Sequence, residues 1–184
     1  MRRLVAITAL SLCIPALLLA DEKDEAAAIE ALKKIGARVQ TDRKTGVALK
    51  VDFAAKAVSD DQLKHLAVLT KVRIVTLSGA KAKDGLAYLP KQIGDKGLAH
   101  LAGLTEVREL TLDGTHVTDA GLKHLANMKE LQKLILSGTK VTDDGLPELA
   151  KLKKLTSLWV DKTKVTRRGV LLLKKDLPNL DVLE

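Results

Sequence analysis

The chain has 184 residues, of which 46% are hydrophobic and 2% aromatic, and a formal net charge of +8. That length suits one domain with its own core. One Trp, one Tyr and one Phe leave too few rings for base stacking, which argues against nucleic-acid binding, and the only cysteine, Cys13, lies near the N-terminus, so residues 21–184 hold no disulfide, thiol nucleophile or thiolate metal site.

Arg2 and Arg3 open the chain, Leu4 to Leu19 is almost wholly apolar, and the small Ala20 precedes "DEKDE". This is the layout of a secretory signal peptide over residues 1–20, cleaved near Ala20, with a retained N-terminal anchor as the alternative. The apolar run is short for a bilayer span and contains Pro15. The expected location is therefore exported (periplasmic, cell-envelope or extracellular), with no membrane span once the signal is removed. Taking Arg2 and Arg3 from the 31 basic residues, against 23 acidic, leaves +6. The signs are interspersed, which reads first as solubility and second as attraction to an anionic partner.

Residues 21–46 read as an N-terminal cap. In "DEAAAIEALKKIGARV", Ala28, Ile29, Leu32 and Ile35 lie close to one helical face, Lys33 and Lys34 fall in the last turn, and Gly36 is placed to stop the helix. "ARVQTDRKTGVALKVDF" predicts two strands joined by a turn at Lys44–Gly46.

Residues 47–184 repeat. Val51, Val75, Leu110, Leu134 and Leu158 hold one apolar position at intervals of 24, 35, 24 and 24. A partial copy follows, in which Leu177, Leu180 and Leu183 trail Leu152, Leu155 and Leu158 by 25. Inside a unit the period switches. Val107, Leu110 and Leu112 give an L-x-x-L-x-L pattern whose last two residues have strand spacing, "DGT" turns at Gly114, and Leu122, Leu125 and Ala126 have helical spacing. Thr118 is a good N-cap and Asp119 suits the positive first turn of a helix. Ser59–Asp60 and Thr142–Asp143 repeat this device, Gly94–Asp95 keeps only the acid, and Thr166–Arg167 keeps only the cap. Such a unit cannot bury its apolar stripe alone, but stacking five and a fraction of them makes one continuous core.

The long interval carries 11 extra residues, within 80–92. "KDGLAYL" (83–89) matches "DKGLAHL" (95–101), so a helical half is expected twice with no strand between, and Pro90 separates the copies. The insert reads as a bulge on the convex side or as a contact element carrying Tyr88. At the other end "LDVLE" predicts a strand whose exposed edge could pair with a second copy.

"VRELTLDGTHVTDAGLKHLANM" looks like L-x-x-L-x-L-x-x-N-x-L with a helical second half. Over roughly residues 47–184 the chain resembles the leucine-rich repeat family, most nearly the exported bacterial type with "VTDxGLxxL" helices, which is similar to the repeats of F-box adaptors. Thr115, Thr139, Thr163, Ala80 and Lys56 stand where that pattern has Asn. The resemblance implies an α/β leucine-rich repeat solenoid with short parallel strands on the concave side and short helices on the convex side. It also implies that partners dock on the concave sheet.

Catalytic constellations are missing. His65, His100 and His124 share one repeat position with Glu148, but that position faces away from the core. A single ion needs every ligand within about 2.2 Å, closer than neighbouring helices would bring them. No phosphate-binding loop and no Ser-His-Asp set stands out. The expectation is therefore a non-enzymatic protein-binding module without cofactor or metal. Its apolar anchors are Trp159 and Ile135, which share a strand position where a solvated face would be polar. Arg73, Arg108, Lys133 and Asp161 set the register, with Glu109 and Thr111 between them. The alternatives are a self-assembling envelope component and a binder of anionic surface polymer through the basic convex face.

Overall fold

The apolar positions that recur along the chain meet in one row of a sheet. The computed structural model describes residues 13–53, 58–78, 80–81, 88–89 and 93–184. Helix α1 (Cys13–Lys34) starts upstream of its expected first residue. The Leu/Ala-rich stretch before it consists of strong helix formers, and Pro15 falls in the first turn, where its missing N–H costs nothing. Residues 1–12, the first part of the expected signal segment, lie outside the described residues. Among the described residues no helix is long and apolar enough to cross a membrane.

Gly36 ends α1 with a φ of 89°, a left-handed conformation that glycine adopts without strain. Strand β1 (Arg38–Thr41) then pairs antiparallel with β2 (Ala48–Asp52). Asp42 closes the turn between them, its Oδ1 accepting the N–H groups of Lys44 and Thr45, each at 2.9 Å. Glu25 ties the helix to this hairpin by accepting the Ala48 N–H at 2.8 Å. Ala28, Ile29 and Leu32 are buried beneath it, and Ile35 packs partly buried against the same core.

Strands β3 (Ile74–Thr76), β6 (Glu109–Thr111), β7 (Lys133–Ile135), β8 (Ser157–Trp159) and β9 (Asp181–Leu183) extend the sheet in the order β1-β2-β3-β6-β7-β8-β9. All pairs after the first are parallel. Val51, Val75, Leu110, Leu134, Leu158 and Val182 lie in one register row. The first five are wholly buried, and each such side chain is worth about 1.5–3 kcal/mol relative to exposure. Behind the sheet run α2 (Asp95–Ala99), α3 (Asp119–Leu122), α4 (Leu146–Leu149) and α5 (Arg167–Asp176), with a 3-10 turn over Asp60–Leu66 in the first unit. This is the α/β repeat solenoid that the resemblance implies.

Two expectations are corrected. Residues 80–81 (β4) and 88–89 (β5) form a two-stranded antiparallel ladder, so Tyr88–Leu89 is extended rather than the end of a first helical copy. Residues 82–87 and 90–92 lie outside the described residues. The second copy takes the repeat position and meets the carboxylate of the preceding unit: Asp60 Oδ1 accepts the Gly94 N–H at 2.8 Å. The other correction concerns the last strand. An offset of 25 would put Leu183 opposite Leu158, but the hydrogen bonds pair Leu158 with Val182 and Trp159 with Leu183. Leu177 and Leu180 keep their buried places, and the chain reaches the sheet one residue early, with the Asp181 N–H donating to Thr156 O at 2.8 Å.

The bond from Asp60 is the first of a series. Asp95 accepts the N–H of Thr118 at 2.8 Å and its hydroxyl at 2.7 Å. Asp119 holds Thr142 in the same way, both at 2.8 Å, and Asp143 holds Thr166 at 2.7 and 2.6 Å. Each Thr in turn caps its own helix, accepting from the N–H of Ala120, Asp144 or Gly169. The carboxylate lies against the next unit's helical glycine. A Cβ at Gly97, Gly121, Gly145 or Gly169 would collide with Asp60, Asp95, Asp119 or Asp143 respectively. Gln62 occupies the glycine position of the first unit, where no such Asp precedes. It reaches back to accept the Ser59 N–H at 3.0 Å.

Gly121→Ala should therefore destabilise the chain by about 1–3 kcal/mol, the usual cost of overpacking. The cost should shrink in an Asp95→Ala background, where the colliding carboxylate is gone; additive urea-melt losses in the double variant would refute the clash. A pH effect follows from Asp143. The Thr166 hydroxyl and N–H hold its carboxyl below the ordinary 3.8, with the Arg168 charge adding to them. A carboxyl depressed in the folded state stabilises above its unfolded value and loses that contribution as the pH falls through its folded value. The urea midpoint should drop below about pH 4, and Asp143→Asn should flatten that drop.

Candidate binding surface

Residues on either side of the buried middle position of each strand face outward, because side chains alternate along a strand. They form two rows across the concave sheet. One runs Lys50, Ile74, Glu109, Lys133, Ser157, Asp181, and the other Asp52, Thr76, Thr111, Ile135, Trp159, Leu183. Neighbours in a row are about 4.8 Å apart. The second row changes character along its length. It begins with an acid and two threonines and ends with three large apolar side chains in succession.

Ile135 and Trp159 are partly buried, and Leu183 is 42% exposed. The Lys133 ammonium lies 4.9 Å from the centroid of the Trp159 ring, within range of a cation–π contact. This contact holds the indole in place and sets a charge beside the apolar group. Asp161 is fixed by its neighbours, since its carboxylate accepts the Ser137 hydroxyl and its backbone carbonyl accepts the Gly138 N–H. It stands at the rim of the sheet and not among the apolar residues.

Arg73 and Arg108 are exposed at the opposite rim, one residue before their strands. The N–H groups of Arg108 and Glu109 both donate to Arg73 O, at 2.8 and 3.1 Å, so the two arginines sit side by side on adjacent units. Lys71 donates to Glu106 at 2.6 Å nearby. That hydrogen bond is the first cause of a Glu106 carboxyl below its usual range, with the charges of Lys71, Arg73 and Arg108 adding and desolvation opposing.

The expected site residues thus fall into two groups. Ile135, Lys133 and Trp159 are brought together. Arg73, Arg108 and Glu109 form a second, charged group toward the N-terminal units, and Thr111 lies between the two in the register row. Sequence reasoning missed Leu183, which an interval of 24 for the last strand would have placed beside Trp159, and Ile74, the apolar member of the other row.

The turns and the convex face complete the inventory. Thr115 and Thr139 are buried, and their hydroxyls donate to Leu112 O at 2.6 Å and Leu136 O at 2.7 Å. Threonine in the family's Asn position therefore closes its own turn. His65, His100 and His124 are partly buried on successive convex segments. Among the described residues no group of three His, Cys, Asp or Glu side chains could hold a metal ion. A convex groove of about 250 Å³ between α4 and α5 is lined chiefly by Leu146, Pro147, Ala150 and Leu172, with Asp143 already bonded to Thr166.

Asp113 is 7% exposed, and its Oδ1 has no hydrogen-bond partner among the described residues. Ser78 and Ser137 occupy the same repeat position. A buried carboxylate oxygen left unsatisfied costs about 1–3 kcal/mol. Asp113→Ser is therefore expected to stabilise the chain, and a urea midpoint at or below that of the wild type would refute this.

No protein-family model matches the chain, and no curated protein does. Similar solved structures include a leucine-rich repeat protein of Leptospira interrogans, at 19% identity and a TM-score of 0.41 over 66% of this chain and 33% of that one. Internalin C2 of Listeria monocytogenes is similar at 21% identity and a TM-score of 0.45, over 86% of this chain and 80% of that one. The chain thus spans about a third of the Leptospira protein. The mostly parallel sheet, the buried leucines that recur in register and the short helices behind them give the architecture of a leucine-rich repeat solenoid.

Proposed function

We propose that the chain is an exported, non-enzymatic module that binds another protein on its concave sheet. The observation that carries this reading is the run of Ile135, Trp159 and Leu183 on three adjacent strands of a face whose other outward positions, Ile74 apart, are polar. Large apolar side chains gathered on an outward face lose stability by hydration unless a partner covers them. Trp is also the residue type most enriched at interface hot spots. Lys133, stacked on the indole, adds a charge that a partner carboxylate can meet at the edge of the apolar patch. Among the described residues no catalytic set competes with this reading, since the polar groups of the concave face lie in parallel rows and do not converge on one point.

Self-assembly is the second reading. It is favoured by Leu171, Leu172 and Leu183, which are 59%, 51% and 42% exposed toward the last unit.

The deciding experiment is a pull-down from envelope extract of the source organism with residues 21–184. A matched bait carries Trp159→Ala and Ile135→Ala. A distinct protein should be retained by the first bait and lost from the second, while both baits keep the same circular dichroism. Equal retention by both would refute the concave site. Recovery of the bait sequence alone would favour self-assembly.

A further inference from the structure

The N-terminal end of the concave face carries a second feature, a groove of about 440 Å³ where the β1–β2 hairpin meets the next two units. Its floor includes Val47 and Leu49, and Lys44, Lys71 and Arg73 stand around it. Two carboxylates also line it, and both are engaged. Asp42 accepts three hydrogen bonds from its own turn, and Glu106 takes the Lys71 ammonium. Arg73 and its neighbour Arg108 make no ion pair among the described residues, and neither does Lys44. The groove therefore has cationic hydrogen-bond donors left over, above an apolar floor. Two guanidinium groups on adjacent units can each grip a carboxylate through two parallel N–H groups.

We propose that this groove reads an acidic residue of the bound partner. The partner contributes an extended segment with Asp or Glu at one end and a large apolar residue at the other. The acid lies against Arg73 and Arg108, and the apolar residue against Ile135, Trp159 and Leu183. The spacing follows from the sheet. From β3, which Arg73 immediately precedes, to β9, which carries Leu183, there are four strand intervals of about 4.8 Å, or roughly 19 Å. An extended chain covers that distance in about six residues. This inference rests on the concave face being the docking surface and adds the chemistry and direction of what docks there.

The test is a display library of random peptides about ten residues long, panned on three versions of the intact chain. They are the wild type, Arg73→Glu with Arg108→Glu, and Trp159→Ala with Ile135→Ala. Wild-type winners should carry an acid about six residues from an aromatic or aliphatic residue. Winners on the charge-reversed chain should keep the apolar residue and exchange the acid for Lys or Arg. A synthetic wild-type winner should lose about tenfold or more in affinity when its acid is changed to Gln, or when it meets the charge-reversed chain. Winners that need Trp159 but show no acid preference, or keep the same acid on the charge-reversed chain, overturn this inference and leave the concave site standing. Winners indifferent to Trp159 and Ile135, or none above background, overturn the docking surface and this inference with it.

Discussion

A carboxylate that leaves its own helix to hold the next one is the interaction on which the stack depends. In four steps, from Asp60, Asp95, Asp119 and Asp143, the acid crosses to the following unit and accepts the backbone N–H of residue 94, 118, 142 or 166. Hydrogen bonds to a charged group contribute about 1.5–3 kcal/mol each, so every step adds directional stability to packing that leucine alone would leave free to slide. The same step explains the spelling of the repeat. Threonine supplies both an N–H and a hydroxyl to the incoming acid and caps its own helix. Glycine two residues after the Asp leaves room for the acid arriving from behind. Arg167 stands where Asp would otherwise project toward a further unit, and Gln62 stands where glycine would otherwise admit a preceding acid.

This arrangement separates what holds the repeats from what they display. The cohesive atoms are the backbone, the buried leucines and the Asp–Thr pairs on the convex side. The two outward rows of the sheet carry none of that burden. They are free to differ from unit to unit, and they do: Thr76 and Thr111 give way to Ile135 and Trp159 in the same register row. A gradient from charged to apolar across one sheet needs no change of fold, because each row position is set by a side chain that the core does not touch. The Lys133–Trp159 contact follows the same logic. It joins two outward residues on adjacent strands and rigidifies a surface group without reaching inside.

Much of this was legible in the sequence, for identifiable reasons. The interval of 24 fixes strand register, so the row from Val51 to Leu158 could be read before any coordinates, and with it the outward facing of Ile135 and Trp159. Helix caps at Thr118 and Thr142 were legible because capping is local. The destination of Asp119 was not. A first-turn acid is equally consistent with a helix dipole, and only the fold brings Thr142 to it. Leu183 was misplaced because the leucine staircase and the hydrogen-bonded register differ by one residue in the last unit, and the backbone bonds decide. The carboxylate of Asp113 gave no signal at all, because burial of a rim position depends on how closely neighbouring turns approach.

The insert shows how the ladder tolerates interruption. Lys83 stands in the first helical copy where Asp95 stands in the second, and the acid of the first copy, Asp84, comes one residue later. The chain instead runs on until Gly94 meets Asp60, and the Val75–Leu110 pairing is kept across the longer interval. The added loop is entropically cheap, since even a doubling of length costs only about 0.6 kcal/mol. The greater cost is chemical. Gly94 offers an N–H but no hydroxyl, so this step makes one bond to its Asp where the later three make two. The weakest joint of the series therefore falls between the first unit and the second. The cationic groove lies across that joint, since its walls come from the β1–β2 hairpin on one side and from Lys71, Arg73 and Glu106 on the other. A segment seated in that groove would contact both sides of the joint and supply, through its own contacts, the cohesion that the missing hydroxyl does not.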